Sequence, residues 1–144
     1  MELGKVKNVI EKFSKEKKVD VQVAWDTFFF DEFLYRLSNS EYSKLFVFKG
    51  GFYLQSIVGV DVRSTIDLDF KLIGSTLADE QLAKIINDIC CIHTDLRIEF
   101  KIIKISNIKA KTKYEGRTIK IEGRFFNIKK IFSIDIGFGI FIIL

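Results

Sequence analysis

From Ile66 to Phe70 the chain alternates apolar and acidic residues, Ile66-Asp67-Leu68-Asp69-Phe70, a little downstream of Lys49-Gly50-Gly51. Successive side chains of a β-strand point to opposite faces of a sheet, so Asp67 and Asp69 are expected on one face and Ile66, Leu68 and Phe70 on the other. A fold that accepts this strand has to pack one face of its sheet and leave the other polar. Two carboxylates held so close repel each other, and a cation is the readiest way to neutralise them. Hard oxygen donors of this kind suit Mg²⁺ that also carries substrate phosphates. The strand therefore reads as one wall of a metal site.

With 144 residues the chain is long enough to bury a core as one domain. Its apolar residues come in short patterned stretches, none approaching the length of a membrane span. The start, Met1-Glu2-Leu3-Gly4-Lys5, lacks the apolar core of a signal peptide, so a cytoplasmic protein with no membrane association is expected. Cys90 and Cys91 are adjacent, which disfavours an ordinary disulfide between them, and they read as small buried thiols.

Charge is segregated along the chain. Arg97 to Lys130 holds eleven Lys and Arg against three Glu, whereas residues 1–96 hold twelve against fifteen Asp and Glu. A basic second half attracts polyanions, a nucleotide or a nucleic acid. The same lysines read equally well as guards of solvent-facing strands against aggregation.

Val6, Val9, Ile10 and Phe13 recur at helical spacing, and Lys15-Glu16-Lys17-Lys18 suits the C-terminal end of that helix. Asp20 caps a second helix with an apolar stripe of Trp25, Phe28, Phe29, Phe33 and Leu37, ended by Ser38-Asn39-Ser40. A short strand over Leu45 to Phe48, a Gly50-Gly51 turn, a short helix over Phe52 to Val58 and a strand over Ile66 to Leu72 follow. Leu82, Ile85, Ile86 and Ile89 form one face of a helix from Ala78 to about Cys91, with Asp79 and Glu80 in its first turn. Three strands complete the chain: Arg97 to Ile105 with a phase slip at Ile102-Ile103 that predicts a bulge, Thr118 to Phe125, and Ile131 to Ile136 after a turn at Asn127-Ile128-Lys129. In the last strand Phe132, Ile134 and Ile136 share one face and Asp135 the other, with Ser133 and Gly137. A third carboxylate is thereby available on a polar sheet face.

The order strand, Gly-Gly turn, short helix, Asp-x-Asp strand and late Asp strand resembles the core of the polymerase-β-like nucleotidyltransferases. Within them the chain is most similar to the AbiEii-like abortive-infection toxins. The residues carrying the likeness are Phe46-Val47-Phe48-Lys49-Gly50-Gly51-Phe52-Tyr53-Leu54, the run Val58 to Asp69 with its Arg63-x-Thr65-x-Asp67-x-Asp69 context, Tyr114-Glu115-Gly116-Arg117 and Ile134-Asp135-Ile136. The resemblance implies an α/β (α+β) fold, a mixed, mostly antiparallel sheet backed by helices, with Asp67, Asp69 and Asp135 in one cleft as catalytic residues and ligands of Mg²⁺ or Mn²⁺. Gly50 and Gly51 would let the backbone approach triphosphate oxygens, and the helix from Phe52 would aim N–H groups at them. Lys49 and Arg63 would neutralise phosphate charge, although a structural ion pair accounts for them as well.

The implied activity is transfer of a nucleotide from an NTP to an RNA acceptor, tRNA first, by the toxin of a bacterial toxin–antitoxin pair with a cognate antitoxin. A small-molecule nucleotidyltransferase of the aminoglycoside-modifying type and an inactive nucleotide- or partner-binding remnant are the alternatives. The family continues beyond the Asp135 strand into a helical region with a lysine-bearing motif, so residues 1–144 are expected to be a truncated core domain. Other residues carry less. His93 has no partner motif for a metal, Ser64 and Thr65 have no base beside them, and Glu99 and Glu122 read as cross-strand ion pairs. Gly137-x-Gly139 reads as a turn rather than a phosphate loop.

Overall fold

The computed structural model describes residues 2–48, 78–107 and 116–139, together with 67–73, which are described by their backbone. Two helices, α1 (Leu3–Lys17) and α2 (Val21–Ser38), precede strands β1 (Phe46–Phe48) and β2 (Asp67–Ile73). Helix α3 (Asp79–Cys90) leads into β3 (Glu99–Asn107), β4 (Gly116–Phe125) and β5 (Ile128–Gly139). The strands form one sheet in the order β1-β2-β5-β4-β3. Among the described residues only β2 and β5 pair in parallel; the other three neighbouring pairs are antiparallel. This is the mixed, mostly antiparallel sheet expected from the sequence.

Helix boundaries follow local chemistry. The Asp20 carboxylate accepts the Gln22 N–H at 2.7 Å and starts α2, satisfying one of the orphan donors of the first turn. Lys18 closes α1 in the left-handed conformation, φ 54°, its N–H returning to the Ser14 carbonyl while the Ser14 hydroxyl donates to the Val19 carbonyl. Lys15 and Lys17 lie in that last turn, where cations suit the helix dipole. Of the four apolar residues assigned to the α1 stripe, Val6 and Ile10 are buried and Phe13 packs at the margin of the core, but Val9 is 63% exposed.

Helix α2 is the centre of the molecule. Trp25, Phe29, Phe33 and Leu37 are buried as their spacing requires, and Phe28 is packed at the edge of the core. Phe30 and Leu34, outside that stripe, are buried too, so α2 is enclosed on more than one side, with α1 and α3 against it and the sheet beneath. Rings mesh across the layers: Phe30 with Phe132 at 4.9 Å, Phe33 with Phe100 at 5.8 Å and Phe28 with Phe125 at 5.3 Å between centroids. The sheet contributes Ile119, Ile121, Phe125, Ile134 and Ile136, each almost wholly buried. Burial of one such side chain is worth about 1.5–3 kcal/mol, so this face sets the stability of the whole.

Gly123 has a specific task in that packing. A Cβ there would lie 2.7 Å from Phe29 Cδ1 and 2.9 Å from Phe100 Cε1. At an open strand position Gly→Val strengthens a sheet, because a β-branched side chain suits a pleated surface. Here the expected result is the reverse. Gly123→Val should overpack the contact and lose about 1–3 kcal/mol, read as a lower midpoint in urea.

The phase slip at Ile102-Ile103 is a register shift between Ile102 and Lys104 against β4. Ile103 is the extra residue and is 44% exposed, so Ile102 and Ile105 both pack against the core. Strand β5 begins earlier than its apolar alternation suggests. Phe125 already pairs with Ile128, so the turn is Phe126-Asn127, and Phe126 takes φ 55° while remaining half exposed. An aromatic residue seldom adopts that conformation, which is why the sequence pointed to a strand start at Ile131, three residues beyond the observed Ile128. Cys90 is buried, and burial raises its thiol to about 12, whereas Cys91 is exposed and departs from the expected buried pair. Among the described residues no helix is long and apolar enough to cross a membrane.

The core also contains ionisable groups that the hydrophobic pattern hides. Glu32 and Arg36 are 5% and 3% exposed. Arg36 Nε donates to Glu32 Oε2 at 3.1 Å, Nη1 to the Cys90 carbonyl at 2.7 Å and Nη2 to the Ile98 carbonyl at 2.7 Å, with the guanidinium 4.8 Å from the centre of the Phe100 ring. The Thr94 hydroxyl donates to the same Glu32 oxygen. One cation thus ties α2 to the end of α3 and the entry to β3.

Asp31, one residue before this pair, is different. Its Oδ1 is buried and has no hydrogen-bond partner among the described residues, and burial raises the carboxyl to about 7. The folded state therefore favours the protonated acid. Asp31 leaves stability intact below about pH 4, weakens it as pH rises from there to about 7, and adds no further loss above. The rise of the carboxyl from its ordinary value to about 7 sets a ceiling of about 4 kcal/mol, and partial exposure reduces this to about 2 kcal/mol. Asp31→Asn should gain that amount at pH 8 and almost none at pH 4, measured by urea unfolding of both proteins across the range.

Candidate active site

The helices cover one face of the sheet, and the opposite face holds the candidate site. Phe132, Ile134 and Ile136 are buried, fixing β5 in the core, so Ser133, Asp135 and Gly137 fall on the polar face. Asp135 is half-buried, and its Oδ1 accepts the Thr118 hydroxyl at 2.6 Å from the directly opposed position of β4. A carboxylate oriented by a neighbouring hydroxyl loses rotamer freedom before any ligand arrives. Thr118 is a functional candidate that the sequence reading passed over. Its signal was present in the alternation Thr118, Lys120, Glu122, Arg124, which puts it on the same face as Asp135.

On its other side β5 pairs in parallel with β2, and the register sets Asp69 opposite Asp135 and Asp67 opposite Ser133. Paired positions share a face of the pleat, and neighbouring strands lie about 4.8 Å apart. The backbone thus gathers three carboxylate-bearing positions, 67, 69 and 135, on two adjacent strands. Their sequence separation is large, and only the parallel pairing makes them neighbours. The donor set contains oxygen alone, without imidazole or thiolate, and its chemistry fits Mg²⁺ or Mn²⁺. Among the described side chains no group of three His, Cys, Asp or Glu is gathered for a metal; those of β2 lie outside that description.

Lys49, Gly50, Gly51 and Arg63, the expected nucleotide contacts, and the helix expected over Phe52 to Val58 all lie outside the described residues. So do Tyr114 and Glu115, whereas Gly116 and Arg117 open β4. Arg117 Nε donates to Asp79 Oδ1 at 2.9 Å, anchoring the first turn of α3 to the sheet. His93 is exposed in the connection from α3 to β3.

Farther from Asp135 along the same face, Glu122 collects two cations, Lys101 at 3.3 Å and Lys129 at 3.7 Å. Burial pushes its carboxyl up, but Lys101, Lys129 and Arg124 outweigh that and hold it below the usual range. Glu99 stands opposite Arg124 in the register. Much of the basic character of β3 to β5 is thus neutralised locally, and these two glutamates take the cross-strand places read from the sequence.

A family model described as the nucleotidyl transferase AbiEii toxin of type IV toxin–antitoxin systems matches residues 32–141. A search of curated proteins found no match. The matched stretch runs from within α2 through the five described strands and takes in positions 67, 69 and 135 together with Thr118. It covers more than half of the chain and includes every residue of the candidate site, so the chain belongs to the AbiEii nucleotidyl transferase toxin family.

Proposed function

We propose that this protein transfers a nucleotide from an NTP to an RNA acceptor, tRNA first, as the cytoplasmic toxin of a pair with a cognate antitoxin, using Asp67, Asp69 and Asp135 as its catalytic carboxylates. The observation that carries this reading is the register of β2 against β5, which puts Asp69 on one rung with Asp135. Asp67, Asp69 and Asp135 would hold Mg²⁺, or Mn²⁺ in its place. Bound there, the metal supplies charge neutralisation of the triphosphate and acidifies the attacking hydroxyl. Lys49, the Gly50-Gly51 backbone and Arg63 would bind and orient the phosphates. The acceptor oxygen would then form its bond to the α-phosphorus as the bond to pyrophosphate breaks. Thr118 holds one Asp135 oxygen in place, leaving the other for the site. Positioning and charge neutralisation are most of what such a transfer needs from a protein.

A thermal melt tests the site. Mg²⁺ with an NTP should raise the melting temperature by mass action, and Asp67→Ala with Asp69→Ala should remove the rise. An unchanged melting temperature for wild type at saturating Mg–NTP would end the metal–nucleotide reading. Incorporation of labelled NTP into tRNA, with an aminoglycoside as the competing acceptor, then decides the acceptor class.

A further inference from the structure

Lys104 and Lys120 stand directly opposite each other in the β3–β4 register, and both are exposed. Like charges opposed across two strands are destabilising. Among the described side chains, the other lysines and the arginine of this face have acidic neighbours: Lys101 and Lys129 contact Glu122, and Arg124 stands opposite Glu99. Neither Lys104 nor Lys120 makes an ion pair or side-chain hydrogen bond among the described residues. The register shift at Ile102 sets this alignment, because without the bulged Ile103 another residue would oppose Lys120.

The location of the repulsion matters. Lys120 lies two residues from Thr118 on the same strand face, roughly 7 Å along β4. Thr118 is bonded to Asp135, so the uncompensated cations adjoin the carboxylate site. Solvent protection alone does not require two cations on one rung, since one lysine with a glutamate guards a face equally well. A pair of ammonium groups facing the same way does suit an oxyanion that bridges them.

We infer that Lys104 and Lys120 form a phosphate clamp beside the Asp135 site, taking a phosphate of the substrate that the carboxylates serve. The inference rests on the proposed transferase reading and deepens it. The phosphate can come from the triphosphate of the nucleotide or from the backbone of a nucleic-acid acceptor, and the test separates the two.

Binding of Mg–NTP and of fluorescently labelled tRNA is measured over a range of KCl for wild type, Lys104→Met/Lys120→Met and Asp67→Ala/Asp69→Ala. Methionine keeps the apolar stem and removes the charge, so the lysine variant should melt at or above the wild-type temperature. It should bind one ligand at least about tenfold more weakly. If that ligand is tRNA, the slope of log affinity against log salt should fall by about 0.7–0.9, one phosphate contact, and the clamp holds the acceptor backbone. Loss of NTP binding alone assigns it to the triphosphate. Normal affinity for both ligands in the lysine variant, or a wild type that binds neither, overturns the clamp. If the aspartate variant keeps Mg–NTP binding while the lysine variant weakens a ligand, the clamp stands and the metal-site reading fails. The reverse pattern sinks the clamp alone.

Discussion

Arg36→Met is expected to destabilise the protein by about 3–5 kcal/mol, the largest loss from a single side chain outside the site. The substitution leaves Glu32 as a buried carboxylate without its cation, and it takes donors from two carbonyls, Cys90 at the end of α3 and Ile98 before β3. An unsatisfied buried acceptor costs about 1–3 kcal/mol on top of the stranded charge, though such losses do not simply add. Glu32→Leu combined with Arg36→Met should recover only part of the loss, because it removes the stranded carboxylate but still orphans both carbonyls. Urea unfolding of the single and double variants checks this. Full recovery in the double variant would show that the bonds to Cys90 and Ile98 contribute nothing, and that the pair matters only to itself.

Asp135→Asn is expected to reduce nucleotide transfer on the order of 10³-fold, about 4 kcal/mol of transition-state stabilisation, while leaving the fold in place. Asn keeps the shape and can still accept the Thr118 hydroxyl at Oδ1, the bond seen at 2.6 Å. What it lacks is the charge opposite position 69. Single-turnover incorporation of labelled NTP, run beside a thermal melt, separates chemistry from folding. A melting temperature near that of wild type with a rate within about tenfold of it would exclude Asp135 from the catalytic set. Thr118→Val, which removes only the orienting hydroxyl, should give a smaller loss, restored by Thr118→Ser.

Much of the molecule was legible in one dimension because its signals are local. The Asp20 cap, the α2 aromatics, the α3 face and the alternation of β4 are each set within a few residues by hydrogen bonding or periodicity. Even the bulge in β3 was visible, since a slip in apolar phase is a property of the strand itself. The misreadings also have local causes: the hairpin turn is expected at Asn127-Ile128-Lys129 and lies instead at Phe126-Asn127, because Phe126 is an unlikely residue for a positive φ.

Glu32 and Arg36 escaped because buried charges in an amphipathic pattern look like solvated ones. Whether a charge is inside depends on partners 54 and 62 residues away in sequence, the carbonyls of Cys90 and Ile98. Asp31 is the same case, with no partner for its buried Oδ1 among the described residues.

For the candidate site the division is similar. The residue order alone shows which residues bear the carboxylates and sets each at a position opposite to the apolar ones of its own strand, because strand periodicity follows from the pleat. It also determined the family likeness, through the order of its motifs. That β2 and β5 are parallel neighbours, which sets Asp69 opposite Asp135, and that β4 pairs with both β5 and β3, which brings Thr118 to Asp135 and Lys120 to Lys104, emerges from the three-dimensional packing alone. Strand order and register arise from packing the Ile and Phe face against α2, a balance of many contacts distant in sequence, and no stretch of the chain encodes that alone.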